Sequence, residues 1–173
     1  MSLSMYQASI PVFTQMLTNL LGILDKAAAH GAAMKWDPTV PATLRLIPDM
    51  LPFTKQIQIA SDHAKRCTAR LAGVEAPKYE DNEVSIPEFK ARIAKTLDYL
   101  KTFTPAQIDG SEDRQISFPS GGGTRTLSGQ MYLLNYAMPN FYFHVTTAYA
   151  ILREAGVVIG KQDYVGPLPG LSK

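Results

Sequence analysis

Four stretches of the chain carry apolar side chains at alternating steps of three and four residues, which is the spacing of one face of an α-helix. They run from about Tyr6 to Ala29, Asp49 to Leu71, Ser85 to Phe103 and Ser128 to Ala155. Four long helices with one apolar face each must bury those faces against one another. The pattern therefore predicts an all-α fold, a four-helix bundle.

Glycines and capping residues predict where these helices end. Gly31, Gly73 and Gly156 follow the first, second and fourth segments, where a C-terminal glycine is expected. Ser85, with Glu88 three residues later, is a typical start for the third helix. Each of the four segments thus has a predicted boundary.

Prolines modify two of the helices. Pro11 predicts one of two arrangements: it lies in the first turn behind a Ser9 cap, or it kinks a helix that starts earlier. Pro139 lies in the middle of the fourth helix, where it removes a backbone donor and releases the carbonyl of Asn135. A kink is expected there.

The segments between the helices are predicted to be mostly irregular. Residues 31–48 form a connection with at most one short helical turn, and Trp36 folds back over the end of the bundle. Residues 74–84 form an exposed loop. From Val157 the chain is predicted to be extended, with residues 167–173 as a mobile tail and residues 1–166 as a single domain.

A short β-hairpin is predicted before the last helix. Polar and apolar residues alternate over Gln115–Phe118 and again over Thr124–Leu127, and three glycines lie between them at 121–123. No Gly-Lys-Ser/Thr follows those glycines, so they are a flexible hairpin tip rather than a phosphate-binding loop.

Composition excludes several classes of protein. The 173 residues include 17 Lys plus Arg and 15 Asp plus Glu, scattered along the chain, so no basic stripe predicts nucleic-acid binding. No apolar run is long enough for a membrane span, and the first residues lack the pattern of a signal peptide. The expected setting is soluble and cytoplasmic. The small number of charged residues permits self-association, and a homodimer is expected.

The most promising chemistry lies around His144 on the fourth helix. Asn140 precedes it by one helical turn on the same face, and Tyr136 is nearby. A histidine among aromatic residues, just after Pro139, predicts a pocket inside the bundle. The alternative is a structural histidine whose ring is hydrogen-bonded to a carbonyl or a tyrosine.

The second helix offers partners for His144. His63 flanks its apolar face, and Gln56 or Gln58 lies about two turns earlier. The sequence does not decide which of the three faces inward, and His63 is alternatively a boundary residue with its ring tip in water. His30 is interpreted as a residue of the helix C-terminus.

Other common sites are not predicted. Cys67 lies on the apolar face of the second helix, where a buried thiol is inert packing. The chain contains neither the Glu-x-x-His pair of di-iron bundles nor a His-Glu-x-x-His motif.

Several local stretches resemble a bacterial family of unknown function within the DinB/YfiT-like superfamily. They are Pro48-Asp49-Met50, Arg70-Leu71-Ala72-Gly73-Val74, Gly121-Gly122-Gly123 and, most specifically, Asn140 to Tyr149. The resemblance covers about residues 1–166. It implies an antiparallel four-helix bundle with a hairpin before the last helix, and often a dimer.

The resemblance also implies a divalent metal, held in many relatives by one histidine of the second helix and a His-x-x-x-His pair of the last helix. His144 matches the second histidine of that pair, whereas Asn140 takes the place of the first. The second-helix ligand falls near Gln56 to Ile59, where there is no histidine. His63 lies one to two turns later and would need a shifted geometry.

Two functional predictions follow. Amide oxygens are poor ligands for nickel or zinc, so we expect a degenerate metal site and a pocket for a small molecule near His144. Pocket candidates are Asn140, His144, Gln56, Gln58, His63 and Tyr136. The candidate for holding a metal is His144, with His63 or Asn140. The alternative is a divalent-metal-dependent transferase of the thiol-transfer type, or a hydrolase.

Overall fold

The structure, a computed structural model, describes residues 3–167 and is mostly helical. The helices are α1 (Ile10–Ala33), α2 (Val40–Thr43), α3 (Phe53–Ala72), α4 (Ile86–Lys101), α5 (Pro105–Ile108), α6 (Gly129–Tyr132), α7 (Met138–Glu154) and α8 (Lys161–Val165). Strands β1 (Gln115–Ser120) and β2 (Gly123–Ser128) form one antiparallel hairpin, and a π-helical turn (Leu133–Ala137) joins α6 to α7.

The core lies between the four long helices. α3 packs against α4 and α7, and α1 packs against the same two helices. Buried aliphatic and aromatic side chains from all four fill the interior, including Leu17, Ile57, Ile93 and Val145. None of the described helices is both long enough and apolar enough to cross a membrane.

The bounds of helix α1 decide between the two alternatives at Pro11 and show that Gly31 does not end the helix. The helix begins after Ser9, so Pro11 lies in its first turn. It continues to Ala33, and Gly31 lies inside it instead of ending it. A Cβ on Gly31 would lie 3.2 Å from Cε3 of Trp36, so the glycine makes room for the folded-back indole. The prediction that Trp36 covers this end is confirmed.

Helix α3 starts later than predicted and ends as predicted. Its first residue is Phe53, four residues beyond Asp49, with Pro52 at the N-cap. The residue before a proline is kept out of the α region, so the helix does not extend back through Leu51. Gly73 ends the helix in the left-handed conformation, with φ of 73°.

A π turn lies directly before Pro139, where the sequence predicts a kink. The backbone N–H of Met138 donates to the carbonyl of Leu133, five residues earlier. The extra residue shifts the buried face, so Tyr132 and Leu133 are buried. Met131 and Leu134, which helical spacing places on the apolar face of the fourth segment, are instead each 48% exposed. Beyond the turn, Phe141, Val145 and Ala148 continue the same apolar spacing and are buried, as that spacing predicts.

The segment after Gly156 is not the extended tail that the sequence predicts. Val157 and Ile159 are buried in the core, and α8 packs against α1. The amide of Asn19 donates to the carbonyls of Tyr164 and Val165 at 3.0 and 2.9 Å. Two apolar side chains at alternating positions anchor this segment. Residues 168–173 of the predicted mobile tail lie outside the described residues, and the single-domain division remains a prediction.

The predicted hairpin is confirmed. β1 and β2 pair in a register that places Ile116 opposite Leu127, and the turn at Gly121 and Gly122 has positive φ at both residues. One face of β1 is buried, with Phe118 packed against the rings of Tyr132 and Tyr136 at centroid distances of 4.9 and 4.3 Å. The hairpin thus closes over the start of the last helix.

Candidate functional site

A hydrogen bond between His144 and Gln56 joins α7 to α3 inside the protein. Both residues are buried, and Nδ1 of His144 lies 2.7 Å from Oε1 of Gln56. Gln56 Nε2 donates to the carbonyl of Leu51 at 2.9 Å, which fixes the orientation of the amide. Since Oε1 only accepts, the His144 proton is assigned to Nδ1, and Nε2 keeps its lone pair.

Burial keeps the His144 ring neutral. Loss of solvent lowers its pKa from 6.5 to about 4. At neutral pH the ring therefore offers an acceptor at Nε2 and no charge.

His63 lies beside His144 across the interface between the helices. Their ring centroids are 6.1 Å apart with planes tilted by 16°, and the Tyr136 ring meets His63 edge-on at 5.7 Å. Burial, followed by repulsion from His144 and Arg66, lowers the pKa of His63 to about 4. Both imidazoles are therefore neutral at pH 7.

A small cavity opens next to His63. Its volume is about 140 Å³, and it lies between α3, the hairpin and the π turn. Its lining residues are Ile59, Asp62, His63, Arg66, Arg70, Pro119 and Tyr136. Five of the seven come from α3, because steps of three and four residues bring them to one side of that helix.

Two arginines in the cavity wall have different partners. Arg66 forms an ion pair with Asp62 at 2.7 Å. Arg70 donates to the hydroxyl oxygen of Tyr132 at 2.6 Å. Burial raises the pKa of Tyr132 to about 12, so the phenol stays neutral and Arg70 keeps its full positive charge.

Behind Asp62 lies a buried ionic cluster that the sequence did not suggest. The Arg92 side chain is 1% exposed and contacts Asp62, Asp81 and Glu83 at 3.1, 3.1 and 2.8 Å. The buried ammonium of Lys65 lies 2.9 Å from Asp62. Residues 74–84 form a loop, as predicted. The ionic cluster holds this loop against α3 and α4.

The structure brings together four of the six predicted pocket residues: Gln56, His63, Tyr136 and His144. Asn140 is close, but its amide nitrogen donates to the backbone carbonyl of Tyr136 at 2.7 Å. Gln58 lies on another side of α3, where Nε2 donates to Glu83 Oε2 at 2.9 Å. Gln58 is therefore not part of the His144 cluster, because two positions along a helix rotate a side chain by about 200°.

Sequence reasoning overlooked Arg66 and Arg70 as cavity residues. A signal was present, since Ile59, His63, Arg66 and Arg70 follow the helical spacing of one stripe beside the apolar face of α3. The sequence did not show that Pro119 of the hairpin lies next to this stripe, so that the two together enclose a cavity.

The donors around His144 do not make a ligand set for nickel or zinc. Among residues 3–167, no group of three or more His, Cys, Asp or Glu side chains is placed to hold an ion. Only two imidazoles, His144 and His63, are close together, the Asp62 carboxylate is bound by cations, and Gln56 and Asn140 provide only neutral amides. Imidazole suits these metals, whereas amide oxygens do not.

Cys67 and His30 have the structural roles that the sequence predicted. Cys67 is fully buried, and burial raises the pKa of its thiol, which keeps it protonated. His30 lies in the last turn of α1, with its ring edge-on to Trp36 at 5.0 Å.

Comparison with known proteins identifies a matching family and a similar solved structure. The domain of unknown function DUF1993 matches residues 5–165. The crystal structure of a DinB family member protein from Shewanella denitrificans superposes with a TM-score of 0.90, at 41% sequence identity, covering 97% of this chain and 95% of that one. Comparison with curated proteins returned no match.

Proposed function

The chain belongs to the DUF1993 family, within the DinB-like superfamily, and from this we propose that it binds a small molecule in the cavity beside His63 and His144. We further propose that the metal site implied by its resemblance to DinB-like proteins is degenerate. The observation that carries both proposals is the Gln56 amide. It holds His144 in a fixed orientation next to His63, which lines the cavity, and it places an amide, a poor ligand for nickel or zinc, beside the imidazole.

The cavity has the features of a binding site for a small organic ligand. It combines apolar surface from Ile59, Pro119 and Tyr136 with polar groups from His63 and Arg70. Ligand sites in proteins are concave and mainly apolar, with a few polar groups that orient the ligand. The neutral imidazole of His63 is suited to hydrogen bonding in such a site.

We propose to test this with a screen of small aromatic fragments, neutral and charged, followed by NMR. The imidazole C–H resonances of His63 and His144 are the reporters, because His63 lines the cavity and the His144 ring lies next to it. A binding fragment is expected to shift the His63 resonances in a saturable manner. If no fragment shifts them, the proposal is wrong.

A matched pair of variants locates the binding. Ile59→Phe adds bulk inside the cavity, whereas Ile47→Phe makes the same change at an isoleucine that is 51% exposed and outside the lining. Binding should be lost in the first variant and kept in the second. Equal binding by both would place the fragments elsewhere.

The second candidate function is a divalent-metal-dependent transferase of the thiol-transfer type, or a hydrolase. The observation that favours it is the pairing of His63 with His144, since two neighbouring imidazoles provide part of a ligand set. Titration calorimetry of the metal-stripped protein with nickel and zinc, run beside His144→Ala, tests it. One-to-one binding at about micromolar affinity or tighter, lost in the variant, would support this candidate. Absence of such binding supports the degenerate site.

We also propose that the four long helices form an antiparallel bundle within a single domain, residues 1–166, and that two chains associate as a homodimer. Packing of α1 and α3 against the same two helices supports the bundle. Exposed apolar side chains on the last helical segment support the dimer, since large exposed apolar groups often mark interfaces.

A further inference from the structure

We infer that the ligand of this cavity is a small organic anion, an aromatic monocarboxylate, bound through the guanidinium of Arg70. The inference rests on the proposed binding function and adds the chemical class of the ligand. It follows from three features of the wall: its excess positive charge, the fixed position of Arg70, and the apolar surface that faces the charge.

The first feature is the charge of the wall. Asp62 is its one carboxylate, and that group accepts contacts from Arg66 inside the wall and from Lys65 and Arg92 behind it. Within residues 3–167, no carboxylate pairs with Arg70. The cavity therefore presents a positive charge that the protein itself does not neutralise, and an anion would do so.

The second feature is the position of Arg70. Its Nη1 donates to the Tyr132 hydroxyl, and the guanidinium lies over the rings of Tyr132 and Phe118, at 5.5 and 5.8 Å from their centroids. These contacts hold the guanidinium by one nitrogen and by its position over the two rings. The guanidinium has five N–H donors, so donors remain for a carboxylate, which a planar fork binds well.

The third feature is the size and lining of the cavity. A volume of about 140 Å³ is close to that of an engineered apolar cavity, about 150 Å³, that holds benzene. Ile59, Pro119 and the Tyr136 ring provide apolar contacts for such a ring. A benzene ring with one carboxylate, as in benzoate, matches both the space and the charge.

The test compares three probes of nearly equal shape: benzoate, neutral benzamide and cationic benzamidine. Affinities are measured by NMR titration of the wild-type protein at physiological ionic strength, with the His63 resonances as reporter. We expect benzoate to bind about tenfold or more tightly than benzamide, because charge-assisted hydrogen bonds are the stronger ones. Benzamidine should bind most weakly. Equal affinities for benzoate and benzamide would overturn the inference.

Variants then test whether Arg70 provides the positive charge that favours benzoate. Arg70→Gln should remove the preference for benzoate, whereas Arg153→Gln, an exposed arginine outside the cavity, should keep it. Equal losses in both would overturn the assignment, since they would reflect net charge alone. Arg70→Lys keeps the charge and serves if Arg70→Gln does not fold. It should bind benzoate several-fold more weakly than wild type, because an ammonium lacks the fork, and unchanged affinity would contradict the proposed contact.

The experiment separates failure of the ligand class from failure of the binding function. Neutral fragments that bind while benzoate shows no advantage would leave the cavity as a binding site and overturn the anion. If no fragment and none of the three probes binds, both proposals are wrong.

Discussion

At the scale of single residues, the pair formed by Gln56 and His144 determines the chemistry of the site. The amide fixes the tautomer of the imidazole, and burial fixes its charge. The sequence identified both residues, because each lies beside the apolar face of its helix. It did not separate Gln56 from Gln58, since only the packing of α3 against α7 shows which amide meets the imidazole.

The lowered pKa values of His63 and His144 predict that stability depends on pH. In the folded protein each pKa is about 4, against 6.5 for an ordinary histidine. Between these values the unfolded chain binds more protons, so the free energy of unfolding rises with pH. This stabilisation is complete above about pH 6.5 and is lost as the pH falls toward 4.

Urea unfolding in metal-free buffer at pH 7.5, 6.0 and 5.0 checks this prediction. The acidic groups with lowered pKa, such as Glu88, lose their contribution below about pH 4.5, so the decrease from 7.5 to 5.0 reports mainly on the histidines. A free energy of unfolding that stays constant over this interval would contradict it.

Replacing the Gln56 amide with a carboxylate should favour the protonated, charged form of the His144 ring. In Gln56→Glu a negative charge lies within hydrogen-bonding distance of Nδ1, which favours the imidazolium. We expect the pKa of His144 to rise well above 4, as measured by NMR titration of its ring protons. Gln162→Glu, at an exposed position of α8, is the control and should leave that pKa unchanged.

At the scale of elements, the π turn decides which side chains of the last helix reach the core. The sequence located the irregularity through Pro139 but not its form, because a kink and a π turn both accommodate a missing N–H. A π turn, unlike a kink, adds a residue to the helical turn and so changes which side chains face the core. The register change buries Tyr132, whose hydroxyl then holds Arg70 at the cavity.

Two backbone segments approach closely at the start of α6, so replacing Gly129 is expected to have a large effect on stability. A Cβ on Gly129 would lie 2.0 Å from the carbonyl oxygen of Ser111, whereas one on Gly22, exposed in α1, would meet nothing within 4 Å. Gly129→Ala should therefore lower the free energy of unfolding by more than about 2 kcal/mol. Gly22→Ala should raise it by about 0.5–1 kcal/mol, because alanine favours the helix. Denaturant unfolding of both variants checks the pair, and similar effects would contradict it.

The buried ionic cluster predicts a strong dependence of stability on Arg92. Arg92→Met would leave Glu83, Asp62 and Asp81 without their shared partner. Removing one member of a buried pair typically costs about 3–5 kcal/mol, and we expect a loss of this order in urea unfolding. Lys101→Met, which removes an exposed ion pair with Asp98, should cost less than about 1 kcal/mol. Similar losses for both variants would contradict a special role of the cluster.

At the scale of the whole molecule, the proposed homodimer predicts that charges introduced on its exposed apolar surface weaken the association of the two chains. Met131 and Leu134 are each 48% exposed as a result of the π turn. The double variant Met131→Glu, Leu134→Glu should shift a dimer toward monomer, because charges at an apolar interface lose their solvation. Light scattering at micromolar concentration measures the mass. A wild-type monomer would contradict the dimer, and a dimer unaffected by the variant would place the interface elsewhere.

The sequence by itself determined the four long helices and the hairpin, and it predicted that His144 lies near His63 and one of two glutamines. These follow from local rules, since helical periodicity and strand alternation are properties of neighbouring residues. Only the tertiary structure decided the rest: the inward-facing glutamine, the burial of Val157 and Ile159, and the cavity beside Arg70. Each of these depends on contacts between segments distant in the chain, and their distances are not encoded in the spacing of residues along any one helix.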